Sequence, residues 1–368
     1  MIRKIGAVLA AIIFSILFLA GCLCIAWPLV AESTQSRESE TVIAEFQAIA
    51  EEAAEEIDLG SEETEADGSA DEESEAEDEA GTYAATATES KTAYADLLSA
   101  MKVYNQEIFE NGQSGLVDAW SFQDSAFDLS DYGVETEIIG YVTIPSMDSE
   151  LPIYLGATSV NMRKGAVNLG QTSLPIGGEN TNCVLAAHRG YSGIAFWRDI
   201  EKISVGDYVY VTNLWEELTY QVYAIEIIYP DDIDKILIQE GRDLLTLVTC
   251  HPYGGNGIYR YAVYCERVES QVTETESNSE TEESGSAVVE LEITETAAET
   301  EEEAESSIIT PDDYIFESSE DRIEAELALQ KIGIALVAAM LAGILIAVIR
   351  WVRTGNKPRG KHERRKSS

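Results

Sequence analysis

Histidine, and any spacing of residues that binds metal, is what this chain has least of. Its 368 residues contain three histidines and no Cys-x-x-Cys, His-x-x-x-His or His-Glu-x-x-His pattern, so neither a metal nor a cofactor is expected. Basic residues are scarce as well: 24 Lys and Arg face 67 Asp and Glu, a net charge of −43. Phosphate binding needs a basic stripe that is missing here, which excludes nucleic acid as a partner. No internal repeat is present, which argues against a solenoid. The hydrophobic fraction of 45% is nevertheless ordinary for a globular protein, so the charge must be localised. Residues 31–90 hold 21 acids and one base, Arg37, and residues 269–330 hold 21 acids and one base, Arg322.

These two stretches are poor in aromatics and rich in Glu, Ser, Thr and Ala. Their apolar side chains are too sparse to offset backbone ordering, so 32–92 and 269–330 are predicted to be disordered acidic linkers, with Thr41–Ile57 a transient helix. Outside them lie two long apolar runs. Residues 1–31 form an N-terminal anchor or signal, uncharged from Ile5 to Ala31. Residues 331–352 form a transmembrane helix, whose uncharged stretch spans about 27 Å against a hydrocarbon core of about 30 Å. Arg3 and Lys4 flank the first run, and a basic tail, 353–368, follows the second. The positive-inside rule then puts both termini in the cytoplasm and the intervening chain outside. Leu19-Ala20-Gly21-Cys22 is like a lipobox, but the residues after it stay apolar, and an uncleaved anchor or ordinary signal is the preferred reading.

Between the linkers, Ala93–Gly112 carries Leu97, Leu98, Met101, Tyr104 and Ile108 near helical spacing and stops at Asn111-Gly112. From residue 137 the pattern changes to seven short β-rich runs with one helix expected around Ser159–Asn168. A mainly β fold follows: a closed or nearly closed barrel over 136–268, preceded by a helical part over 93–135.

The chemistry narrows to few residues. Cys183, Cys250 and Cys265 lie outside the membrane and cannot all pair; Cys183 and Cys265 are left as core thiols or a disulfide. Cys250 ends a strand-like run and His251 follows it, so strand alternation turns the two side chains to opposite faces. His188, ending the run Asn182–Ala187, is the better partner for Cys250. After Cys250, the Gly-rich PYGGNGIY turns the chain back and brings Arg260 beside it, where a guanidinium can stabilise a developing oxyanion.

With those residues in view the chain resembles the sortase family. Thr246-Leu247-Val248-Thr249-Cys250 matches its Thr-Leu-x-Thr-Cys signature, Ala187-His188-Arg189-Gly190 its histidine segment, and Arg260 its arginine; the resemblance covers about residues 93–268. Tyr104-Asn105-Gln106, the run Cys250–Tyr253 and the two membrane segments are similar to class C, the pilin-polymerising group. That class carries a lid reading Asp-Pro-aromatic; here Asp118-Ala119-Trp120 stands in its place, with Ala119 where proline is usual. The resemblance implies a sortase-type closed β-barrel with an N-terminal lid extension, and transpeptidation at a Leu-Pro-x-Thr-Gly-like sorting signal. Cys250 would be the nucleophile, His188 the acid and base, and Arg260 the oxyanion donor. Asp118 would pair with Arg260, and Trp120 would cover Cys250. Implied partners are pilin or surface-protein substrates, a lysine amine acceptor and the membrane. The competing readings are a sortase anchoring proteins to peptidoglycan and an inert membrane-tethered scaffold. A papain-like protease fits worse, because its cysteine opens a helix.

Overall fold

The computed structural model describes residues 16–22, 24, 27, 31–51, 80–133, 136–190, 194, 196–255, 257–268 and 308–355. They fall into two compact units, one within Thr34–Ser319 and the other made of residues before 34 and after 319.

The first unit is built on a closed barrel of eight strands: β1 Gly140–Ile144, β2 Ser149–Leu155, β3 Ala166–Asn168, β4 Thr181–Ala186, β5 Tyr208–Thr212, β6 Glu217–Ile228, β7 Asp243–His251 and β8 Tyr259–Arg267. The order round the barrel is β1-β2-β3-β4-β7-β8-β6-β5, closed by β5 against β1. The pairs β2/β3 and β4/β7 are parallel and the rest antiparallel. Closure leaves no long open edge to template aggregation. Strand β7, Asp-Leu-Leu-Thr-Leu-Val-Thr-Cys-His, is buried on both faces for most of its length, which explains its near-continuous apolar run. Strand β6 alternates, with Leu218, Tyr220 and Val222 inward. A bulge between Val222 and Ala224 then resets the phase, so that Ile225 and Ile227 point inward.

One expected element is different. Around Ser159–Asn168 there is only a short 3-10 turn, Asn161–Arg163, followed by β3. Three residues are too few to show a period in sequence.

Helix α1 is taken as residues 31–51 and α2 as Ala80–Glu110. The second contains the helix expected from Ala93 and ends at the same Asn111-Gly112 stop. It docks through buried Leu97, Met101 and Ile108. Asn105 also clips it to the barrel, accepting from Leu174 N at 2.7 Å and donating to Leu174 O at 3.3 Å. Burial of an apolar side chain of this size contributes about 1.5–3 kcal/mol.

Four stretches of the expected disordered linkers are ordered: residues 32–51, 80–92 at the start of α2, 308–319 and, in the second unit, 320–330. Val42, Ile43, Phe46, Ile49 and Ala50 share one face of α1, and Phe46 is buried edge-on against Tyr141. A single apolar stripe suffices where average composition points to disorder. Residues 308–319 lie along the barrel, with Ile309 paired in parallel to Glu226 at the free edge of β6. Residues 52–79 and 269–307 lie outside the described residues.

In the second unit, α3, Glu320–Gly355, begins earlier than the apolar run and contains a window, Glu320–Ile346, long and apolar enough to cross a membrane. Most of the N-terminal apolar run and all of the basic tail after Gly355 lie outside the described residues.

Candidate active site

Strand pairing gathers the chemistry at one end of the barrel. Cys250 is the penultimate residue of β7, and the antiparallel register sets it opposite Arg260, the second residue of β8. His188 follows the end of β4, which runs parallel to β7. Two bonds hold these ends level: Ala187 N donates to Val248 O at 3.3 Å, and Thr249 Oγ1 donates to Ala187 O at 2.6 Å.

Cys250, His188, Trp120, Phe122, Ser159, Arg163 and the glycines of the β7–β8 connection line a cleft of about 700 Å³. Gly257 adopts a φ of +67°, and a Cβ there would lie 3.1 Å from Cys250 Sγ and 3.2 Å from an Arg260 nitrogen. Any side chain at this position would therefore press on both groups.

Arg260 is almost fully buried and heavily engaged. Its Nε and Nη2 bind the two carboxylate oxygens of Asp118 at 2.6 and 2.7 Å, a bidentate pair. Its Nη1 donates to Gly257 O at 2.7 Å and lies 3.9 Å from Cys250 Sγ. The Trp120 ring covers the guanidinium at 4.4 Å and stands 6.3 Å from the His188 ring. Asp118 also accepts from Trp120 N at 3.1 Å, capping the short turn Ala119–Ser121.

This packing sets the protonation states. Burial pushes the Cys250 thiol up to about 11, with Asp118 adding to the rise and Arg260 and Arg189 opposing it. Burial, helped by the Arg163 charge, lowers His188 to about 4. Near pH 7 the Cys250 thiol and the His188 imidazole are thus both held neutral in this arrangement.

His251 points away from the cleft, as strand alternation predicts, and is wholly buried. It bonds Arg189, whose guanidinium meets Glu201 at 2.6 Å. Sequence reasoning leaves Arg189, Glu201 and the contacts of His251 unassigned. The available signal is positional and reaches only His251, which follows Cys250 within β7 and so turns to the other face; Arg189 lies beyond the end of β4, borders the cleft and extends its guanidinium to His251.

Cys183 and Cys265 are buried and free. Cys183 pairs with Leu245, which pairs with Cys265, so the two lie two strands apart, about 10 Å, beyond the reach of a disulfide. Burial raises both thiols far above their ordinary value.

Comparison with known proteins adds to the geometry. Residues 142–268 match the sortase domain family model. Sortase D of Bacillus subtilis is 30% identical over 148 residues, which cover 39% of this chain and 72% of that protein. The chain belongs to the sortase family. Sortase A of Bacillus anthracis is 29% identical over 114 residues, covering 31% of this chain and 52% of that sortase. Among solved structures, a pilus-related sortase C of Group B Streptococcus is 28% identical, with a TM-score of 0.45 over 49% of this chain and 91% of that one. Sortases are cysteine transpeptidases that act on proteins bearing sorting signals, so this sortase has the closed barrel and the reaction type of its family.

Proposed function

We propose that this sortase is of the class C type and joins pilin subunits. It cleaves a Leu-Pro-x-Thr-Gly-like signal through Cys250 and passes the acyl group to a lysine amine. The observation that carries this reading is the bidentate Asp118–Arg260 pair with Trp120 stacked on it, a closed lid over the cleft that holds Cys250 and His188.

The reaction begins when Asp118 and Trp120 leave the cleft, freeing Arg260. Cys250 then gives its proton to His188, and the thiolate attacks the Thr carbonyl carbon. Negative charge passes to the carbonyl oxygen, where Arg260 donates hydrogen bonds. As the intermediate collapses, the Thr–Gly bond breaks and protonated His188 delivers the proton to the departing Gly amine. A lysine amine next attacks the thioacyl carbon, His188 takes its proton, and Cys250 leaves with the isopeptide complete.

The enzyme is held as a two-pass protein with its catalytic unit outside and both termini in the cytoplasm. The α3 window and the basic tail support the C-terminal span. The alternatives differ in the nucleophile: a cell-wall amine gives a peptidoglycan anchor, and an inert scaffold makes no product. A sorting-signal peptide incubated with a lysine peptide, with and without thiol blockade, is expected to give an isopeptide that blockade abolishes. A product unaffected by blockade, or no isopeptide with the lysine peptide, overturns the reading.

A further inference from the structure

Beside the cleft lies a second constellation to which the reaction assigns no bond-making step. Arg189 follows His188 and borders the cleft, His251 follows Cys250 and turns to the other face of β7, and their side chains meet. There Arg189 Nη1 lies 3.0 Å from His251 Nδ1. An arginine can only donate, so Nδ1 is the acceptor and the ring proton sits on Nε2. That proton is donated to Tyr314 Oη at 2.8 Å. Arg189 continues through Nη2 to Glu201 at 2.6 Å and through Nε to Arg198 O at 3.1 Å. Ser319 closes the far side, donating to the two Glu201 oxygens from its N at 2.7 Å and its hydroxyl at 2.9 Å. Its hydroxyl also accepts from Tyr253 N at 3.2 Å, three residues beyond Cys250. The Arg189 side chain is fully buried, and the His251 ring lies parallel to Phe316 and edge-on to Tyr314.

We propose that Arg189 and His251 are positioning residues that staple the strand end carrying His188 to the one carrying Cys250, and that Tyr314 and Ser319, from the segment after the second acidic tether, complete the staple. The inference rests on the assignment of Cys250 and His188 as the reacting pair. Besides the two bonds through Ala187, one side-chain bond joins the residues that immediately follow His188 and Cys250, and both of its partners, Arg189 and His251, are buried. Misplacement of reacting groups by about 1 Å is enough to cost on the order of a hundredfold in rate. The segment 308–319 is therefore part of the catalytic unit although it lies beyond the residues that match the family model.

The test uses the full chain with a sorting-signal peptide and a lysine acceptor, measuring kcat, KM and thermal unfolding together. His251→Leu fills the site with an apolar group but removes the acceptor of Arg189 Nη1. His251→Asn leaves more empty space but returns an oxygen near the Nδ1 position. The expected result is a kcat at least tenfold lower in His251→Leu, with KM within about twofold, and at least half of that loss recovered in His251→Asn even where Asn is the less stable variant. Tyr314→Phe and Ser319→Ala are expected to lower kcat by a few fold each, again with KM nearly unchanged. Activity that follows thermal stability, with Leu at least as active as Asn, overturns the proposal. So does an unchanged kcat in His251→Leu. Cys250→Ala run in parallel separates the two levels: turnover that survives in it defeats the assignment of the nucleophile, whereas loss there with normal His251→Leu activity defeats the staple alone.

Discussion

Cys250 has two positive neighbours and one negative one, and burial outweighs them all. Arg260 and Arg189 favour the thiolate, Asp118 opposes it, and the thiol is held near 11. Withdrawing Asp118 and Trp120 removes a negative charge and opens the cleft they line and border, and both changes lower the thiol. Asp118→Ala with Trp120→Ala is therefore expected to speed labelling of Cys250 by a small thiol reagent at pH 7 by about tenfold, the gain in thiolate for one unit of pKa. Unchanged labelling would mean that Trp120 only packs the helical layer onto the barrel. Cys250, His188 and Arg260 are legible in sequence because each ends or begins a strand and the Gly-rich connection fixes the register of two of them. The partners of His251 are not, since Arg189 and Tyr314 are each more than sixty residues away in the chain. Strand alternation gives the direction of the His251 side chain but not what it meets.

At the scale of elements, the proposed lid is a three-residue turn, Ala119–Ser121, held by the cap of Asp118. Asp118 has φ −55° and ψ 141°, outside the helical region, with a ψ in the range that a following proline imposes. A proline at 119 would therefore meet a backbone ψ at Asp118 that already suits it. Ala119→Pro is expected to favour the closed turn by about 0.4–1 kcal/mol through the entropy of the open chain, slowing Cys250 labelling roughly two- to fivefold. Faster labelling would show that the buried Ala119 site has no room for the ring. The strands and α2 are legible because their periods run over five or more residues. Strand β3 is too short to show one. The ordered parts of the acidic stretches are hidden because a few side chains, such as Phe46 and Phe316, carry the packing while the average composition stays polar.

Across the molecule, the net charge of −43 belongs mostly to the two acidic stretches and has little to do with the cleft. Stability responds instead to two buried imidazoles. His188 and His251 are both held near 4, through burial first, then Arg163 for the former and Arg189 for the latter. The unfolded chain binds these protons near pH 6.5, so it takes up more protons than the folded form between about 6.5 and 4. Their stabilisation is complete above pH 6.5 and lost as the pH falls through 4. The melting temperature of the full chain in detergent should thus decline steadily from pH 7 to pH 4, and a flat profile in that window would show that the imidazoles are not held neutral. The barrel class and the cleft end of the molecule are readable from sequence, because strand periods and strand-end residues carry them; the return of residues 308–319 to the barrel is not, because nothing local marks a contact made at such separation.

The central claim is that Cys250 carries the acyl group between a sorting signal and an amine. Intact-mass analysis of the full chain, mixed with a sorting-signal peptide alone and then with a lysine peptide, tests it most directly. The expected result is a mass gain equal to the acyl fragment through Thr, mapped to Cys250, which disappears on addition of the lysine peptide as the isopeptide forms. An adduct that persists in Cys250→Ala, or isopeptide formed by that variant, would contradict the account.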